Sequence, residues 1–303
     1  MKFWDTNITI QNINHPLAHQ NNVIWDMQRE DFNHPYISGN KFRKLKYNIQ
    51  YCIEQKIQYC ATFGGPHSNH IAAFAFACKL FNIRCVGFIR GNQLQYQTPT
   101  LEFAKEMGMQ LVYLASTDYK NKIIPKDFSD YFIIAEGGAN DLGIRGTREI
   151  LQHTTSYDYI FTPVGTGNTL TGLILGSKAN EKIIGISSLK GAENIQFDIL
   201  KNLQNHNYDL NNWEISNKYH LGGYAKFHPE IVRIYNYYVQ NYQIELDPIY
   251  TCKMMFAIED LLIEKKIQNC KILCIHTGGL QGLPGFKNRY QKQWDETLVK
   301  LTE

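Results

Sequence analysis

Short apolar runs recur along the chain, each closed by glycine or a polar turn and followed by a helical stretch. Tyr59–Phe63 predicts a strand that ends at Gly64-Gly65. Beyond it, Ile71, Ala72, Phe74, Ala75 and Cys78 fall at helical spacing and predict a helix from about Asn69 to Phe81. Arg84–Ile89, Gln110–Leu114 and Phe132–Ala135 read as further strands, with a helix over Thr98–Met107 that takes Pro99 in its first turn. Tyr159–Pro163 predicts a strand running into Gly165-Thr166-Gly167-Asn168-Thr169 and a helix from Leu170. Ile183–Ser187 and Lys271–His276 complete the strands, and an apolar helix is expected from near Lys253.

Alternating strands and helices predict an α/β fold of open, mostly parallel sheets with helices on both faces. Ligands in such folds sit beyond the carboxyl ends of strands. The glycine clusters Gly64-Gly65, Gly137-Gly138, Gly165 to Gly167 and Gly278-Gly279 all fall at such ends. No repeat or low-complexity linker is visible, and a weak boundary is marked near Leu151 to Ser156.

Composition narrows the function classes. The 303 residues are 44% hydrophobic and 19% charged, which is enough apolar material for a sizeable core and not the make-up of a disordered chain. A net charge of +3 without a basic stripe argues against nucleic-acid binding. No run is apolar enough to span a bilayer, and Met1 to Thr6 lack the apolar core of a signal peptide, so no membrane role is expected. Seven cysteines, an odd number, read as reduced thiols of a cytoplasmic protein. Cys270 and Cys274 are expected to flank a buried strand and not to bind zinc.

Five segments can carry chemistry. Gly165 to Thr169 suits a phosphate, because small residues let backbone N–H groups and the helix dipole close on an anion; it also reads as a plain strand-to-helix turn. It lacks the lysine of a Walker loop and the third glycine of a dinucleotide fingerprint. Lys41 follows the turn signal Gly39-Asn40, and a lysine whose pKa is lowered becomes a nucleophile for an aldehyde. Arg43, Lys44 and Lys46 are read as solvated. Ser68-Asn69-His70 opens a helix: Ser68 is either its cap or part of a carboxylate-binding turn. His67 and His70 have metal spacing but no third ligand nearby, so no metal is expected. Tyr250, in Asp247-Pro248-Ile249-Tyr250-Thr251, and Thr277, in His276-Thr277-Gly278-Gly279, are either site residues or a core aromatic and a turn cap.

Taken together, Gly39-Asn40-Lys41-Phe42-Arg43-Lys44-Leu45, Gly64-Gly65 with Ser68-Asn69-His70, Glu136-Gly137-Gly138-Ala139-Asn140, Gly165 to Thr169, Asp247 to Tyr250 and His276 to Gly279 resemble one family. It is the pyridoxal-phosphate enzymes of the D-cysteine desulfhydrase and 1-aminocyclopropane-1-carboxylate deaminase group, of the tryptophan-synthase-β-like fold.

The resemblance implies pyridoxal 5'-phosphate held by Lys41 as an imine, by Asn69 at the ring hydroxyl and by Gly165, Thr166, Gly167, Asn168 and Thr169 at the phosphate, with Thr277 facing the ring nitrogen. It implies a small amino-acid substrate bound by Ser68, Asn69, His70 and Tyr250, and a homodimer. Lys41, Ser68 and Tyr250 would be the catalytic residues. It also implies two domains, residues 1–46 plus 151–303 and residues 47–150, with the active site in the cleft between them. The deaminase branch has glutamate after the tyrosine; Thr251 stands there, as in the desulfhydrase branch, so β-elimination of D-cysteine is the expected activity and the deaminase the alternative. A non-catalytic pyridoxal-phosphate or amino-acid carrier is a further alternative. His67 stands where glutamine is usual, Cys252 where glycine is, and His220 to Lys226 suggests a subgroup with its own substrate.

Overall fold

A computed structural model describes residues 2–6, 9–92, 97–191, 193–209 and 211–302. The elements run β1 (Ile10–Asn12), α1 (Pro16–Gln20), β2 (Ile24–Gln28), α2 (Asn40–Glu54), β3 (Tyr59–Gly64), α3 (Asn69–Leu80), β4 (Arg84–Arg90), α4 (Pro99–Glu106), β5 (Gln110–Leu114), α5 (Ser116–Lys120), β6 (Phe132–Ile134) and α6 (Asp141–Arg148). They continue with β7 (Tyr159–Val164), α7 (Asn168–Gly176), β8 (Lys182–Ser187), α8 (Glu193–Asn205), β9 (Trp213–Ser216), α9 (Pro229–Tyr242), α10 (Thr251–Ile263), β10 (Lys271–Ile275), α11 (Leu283–Arg289) and α12 (Gln291–Thr302).

The strands form two sheets, ordered β1-β2-β10-β7-β8-β9 and β5-β4-β3-β6. Every pairing is parallel except β1 with β2. Parallel strands need crossovers, and the helices between them supply these and cover the sheets. The larger sheet is cored on one side by Trp25, Met27, Phe161, Ile258 and Cys274 and on the other by Ile160, Leu170, Leu173, Ile183 and Ile275. The smaller is packed by Phe42, Ile49, Ile71, Phe74 and Cys78 on α2 and α3.

Local chemistry sets several helix ends. The Thr98 hydroxyl caps α4 by accepting from the Leu101 N–H at 3.3 Å, and Asn140 caps α6 through the Gly143 N–H at 2.9 Å. Gly146 lets α6 lie directly on α2: a methyl there would stand 1.9 Å from the Arg43 carbonyl oxygen.

Strand order reverses once in each sheet. In the larger sheet β8 lies on one side of β7 and β10 on the other; in the smaller β4 and β6 flank β3. Such reversal points open a crevice at the strands' carboxyl ends. The loops there are 165–167 and 276–279 in one sheet, 65–68 and 135–138 in the other.

Lys41, just after the Gly39 turn, is the second residue of α2. Two sequence expectations need correction. Arg43 and Lys44 are not solvated: Arg43 is 5% exposed and Lys44 1%, while Lys46 is half-buried and donates to Glu149. Their charge hid the buried face at the start of α2, whose second half keeps Tyr51 and Ile53 exposed. Cys274 lies inside β10 with its thiol at the Trp25 indole, 3.3 Å away, so it does not flank the strand. All seven cysteines are unpaired. Among the described residues no helix is long and apolar enough to cross a membrane, and no three His, Cys, Asp or Glu side chains gather as metal ligands.

Candidate active site

Both crevices open into one cavity of about 620 Å³, within the size range of small-molecule sites. Lys41, Ser68, Asn69, His70, Gly165, Thr166, Gly167, Thr169, Tyr250 and Thr277 all line it. Asn168 does not: its side chain turns away and donates to the Asn140 carbonyl at 3.2 Å, leaving only its backbone to the loop.

Lys41 is placed by the start of α2. The Asn40 N–H donates to the Thr277 carbonyl at 3.1 Å and the Gly39 N–H to the Glu30 carbonyl at 2.9 Å. Gly39 has φ +65°, and a methyl there would sit 1.9 Å from the Thr277 oxygen, so the contact admits only glycine. Below this turn Glu30 is buried and receives Arg43 Nε at 2.8 Å and Nη2 at 3.0 Å, which ties α2 to the segment after β2. The Lys41 amine donates to the Gly137 carbonyl at 3.3 Å. Burial pulls its pKa down to about 8 against the opposing pull of Glu136.

Lys44, one turn further on the same face of α2, is buried in the cavity wall, and burial and then the Lys41 charge hold it well below an ordinary lysine. Its ammonium has no hydrogen-bond partner among the described residues. Asn40, on the same face, donates to the Thr169 hydroxyl at 2.9 Å. Reading the segment as a helix would have found both residues, because positions i, i+3 and i+4 share a face.

The loop after β7 enters α7 through Gly167, at φ +82°, and the helix's first N–H groups have no intrahelical acceptors. Across the cavity, Ser68 occupies the cap position of α3, but its hydroxyl makes no capping bond and stays open to the cavity. Asn69 keeps a buried side-chain oxygen without a partner. His70 Nε2 lies 2.9 Å from the Thr62 hydroxyl, which itself donates to the Ile134 carbonyl at 2.7 Å. Nε2 therefore carries the proton and Nδ1 is a bare, buried acceptor. Burial, then Lys41 and Lys44, push His70 well below its ordinary value and keep it neutral.

Tyr250 is held over Gly165. Buried Asp247 accepts from the Ile249 N–H at 3.0 Å and from the Tyr250 N–H, fixing the turn into α10. Burial pushes the Asp247 carboxyl up to about 7 against those hydrogen bonds. A methyl on Gly165 would touch the Tyr250 hydroxyl at 3.2 Å. The Tyr250 ring meets that of Tyr224 edge-on, centroids 6.2 Å apart. Burial, then Tyr224 and Asp247, raise its pKa well above the usual phenol value, so the hydroxyl keeps its proton.

Thr251 and Thr277 have different fates. Thr251 is fully buried, its hydroxyl accepting from the Asp247 N–H at 2.6 Å, and it does not reach the cavity. Thr277 does, its turn fixed by His276, whose Nε2 lies 2.7 Å from the Glu245 carbonyl and whose Nδ1 accepts from the Gly278 N–H at 3.2 Å. Cys252 is core. His67 lines the cavity, its pKa lowered by burial and then by Arg289. The fully buried ammonium of Lys253 donates to the carbonyls of Ser188, 3.2 Å, and Gly223, 2.8 Å, pinning the loop that brings Tyr224 to the wall.

One cavity thus gathers a lysine amine with a depressed pKa, a second buried lysine, an unpartnered asparagine oxygen and a free helix N-terminus. An aldehyde that carries a phosphate monoester satisfies the amine, the second lysine and the helix N-terminus, and a ring hydroxyl on it would donate to the Asn69 oxygen. Residues 13–278 match the model of the family described as pyridoxal-phosphate dependent enzymes. The chain belongs to that family, and its cofactor is pyridoxal 5'-phosphate. It is similar, at 29% identity over 84% of each chain, to a Pyrococcus horikoshii protein provisionally named a 1-aminocyclopropane-1-carboxylate deaminase. It is 26% identical, over 86% of this chain and 73% of the relative, to the mitochondrial bifunctional D-cysteine desulfhydrase/1-aminocyclopropane-1-carboxylate deaminase of Arabidopsis thaliana. A solved structure described as an ACC deaminase homologue shares its fold, with TM-score 0.83 and 23% identity over 97% of this chain and 95% of that one.

Proposed function

We propose that this chain is a lyase that eliminates the β-substituent of a small amino acid, D-cysteine or a close analogue, giving pyruvate, ammonia and sulfide. The observation that carries this reading is the end of β10: a neutral Thr277 hydroxyl faces the cavity, while Thr251, where the deaminase branch has a glutamate, is buried outside it.

Lys41 would hold the cofactor covalently. Gly165 to Thr169 with Lys44 would take its phosphate, and Asn69 and Thr277 would bond its ring. Bound there, the cofactor supplies an electron sink for the pair left when the α-proton departs. The Lys41 amine, near pKa 8, takes that proton as general base. Ser68 and the first turn of α3 receive the substrate carboxylate; neutral His70 adds no charge there. Tyr250 retains its proton for the departing sulfur.

We further infer two structural units, residues 1–46 plus 151–303 and residues 47–150, with α2 running from one to the other. The strands of the larger sheet come from residues 10–28 and 159–275, those of the smaller from 59–134. A cytoplasmic homodimer is the assembly we expect: seven unpaired thiols suit a reducing compartment, and exposed Phe32 and Phe197 offer apolar contact area. Incubating the holoprotein with D-cysteine and with 1-aminocyclopropane-1-carboxylate tests the reaction. Sulfide with pyruvate from the first supports it; 2-oxobutyrate from the second, without sulfide from the first, overturns it in favour of the deaminase.

A further inference from the structure

We propose that the mouth of this cavity selects amino acids whose side chain ends in an oxyanion, received by Arg90, Lys226 and Arg289. The inference rests on the lyase reading and extends its substrates from D-cysteine to a preferred class with an anionic β-substituent. All three side chains line the cavity and all three are exposed. They come from separate elements: the end of β4, the loop before α9, and the end of α11. Among the described residues none of the three forms an ion pair with a carboxylate, although thirteen lysine or arginine pairs of that kind are formed elsewhere in the molecule.

The other charged groups of the cavity are already assigned. Among the described residues its sole lining carboxylate, Glu136, is engaged by Lys122 and by the Tyr119 hydroxyl. The phosphate has Lys44 and the start of α7; the α-carboxylate has Ser68 and the start of α3. A substrate with a neutral side chain leaves the mouth cations without an anion, Arg90 and Arg289 having only the Tyr119 and Tyr290 rings beside them at 5.9 and 5.2 Å. An anionic one meets them in a partly enclosed space, where charge-assisted hydrogen bonds are stronger than at an open surface. The Arg90 charge reaches the Tyr224 hydroxyl and the Arg289 charge reaches His67, so the two cations address different residues of the lining. That spread fits a group with several acceptor oxygens. When the oxyanion is itself the leaving group, as in O-phosphoserine, the β-carbon–oxygen bond breaks with its electron pair going to phosphate. Lys41 takes the α-proton and one water completes pyruvate and ammonia.

Two measurements on the holoprotein test this. Absorbance titration with non-eliminating ligands compares D- and L-aspartate and glutamate with alanine and 2-aminobutyrate. Keto-acid release compares O-phosphoserine and O-sulfoserine with O-acetylserine and β-chloroalanine. Oxyanion ligands are expected to bind at least tenfold tighter than their neutral counterparts. Arg90→Gln, Lys226→Gln and Arg289→Gln should each cut that preference about fivefold. Equal binding of both groups in the wild type overturns the proposal, as does an equal loss for both groups in every variant, which would assign the cations to the α-carboxylate. Neutral substrates eliminated without an oxyanion preference would sink this inference and leave the lyase reading standing. Tight oxyanion binding without any keto acid would do the reverse.

Discussion

Replacing Gly39 by alanine strikes the joint on which the site depends. Gly39 has φ +65°, which costs an L-residue about 1–2 kcal/mol. Its new methyl would lie 1.9 Å from the Thr277 carbonyl oxygen, against an ordinary contact of about 3.4 Å. The two backbones must therefore part by roughly 1.5 Å, and overpacking of this kind costs a further ~1–3 kcal/mol. The combined loss is about 2–5 kcal/mol. Because the N-terminus of α2 carries Lys41 and the carbonyl it meets belongs to Thr277, a shift of that size should lower activity about a hundredfold even in the protein that folds. Gly108→Ala is the control: φ is +88° there, but a methyl would meet nothing within 4 Å, so only the backbone term of about 1–2 kcal/mol remains. Urea unfolding gives the stability difference, and cofactor absorbance with keto-acid release gives the functional one. If Gly39→Ala matches Gly108→Ala in both, the close approach of α2 to Thr277 is wrong.

Three further outcomes follow from buried charge and its partners. Arg43→Met leaves the Glu30 carboxylate buried without its cation and should destabilise the fold by about 3–5 kcal/mol in urea unfolding at pH 7. Thr251→Glu places a carboxylate where a fully buried hydroxyl now bonds the Asp247 N–H; it should cost about 3–5 kcal/mol by the same assay and yield no deaminase activity, because the position does not open on the cavity. Capture of pyridoxal phosphate by apoprotein requires the neutral Lys41 amine, so its rate should rise with pH up to about 8 and level off above, followed by stopped-flow absorbance. At pH 7 about one tenth of the amine is neutral, against about one in three thousand for a lysine of pKa 10.5.

The repeating strand, glycine and helix pattern made the site region legible, because strand ends that bear glycine are where parallel sheets bind ligands. β5 spans Gln110–Leu114, the residues expected from the pattern, and α7 differs only in starting at Asn168 instead of Leu170. The segment around Lys41 misled because Lys41, Arg43, Lys44 and Lys46 look like a solvated face. Their burial depends on Glu30, Glu149 and a cofactor cavity that lie far away in sequence. Asn168 fell in a phosphate-loop motif, but position in a loop does not fix where a side chain points; the Asn140 carbonyl claimed it. Tyr224 and Lys253 share this obscurity. One reaches the site through a loop without regular structure, and the other holds that loop from within an apolar helix.

Three lysines in or near this cavity have lowered pKa values: Lys41, Lys44 and Lys253. Borohydride reduction of the holoprotein followed by peptide mapping identifies which one carries the cofactor. The account predicts a single pyridoxyl-modified peptide, modified at Lys41, and loss of the label in Lys41→Ala. A label on Lys44 or Lys253, or one that survives Lys41→Ala unchanged, would contradict it.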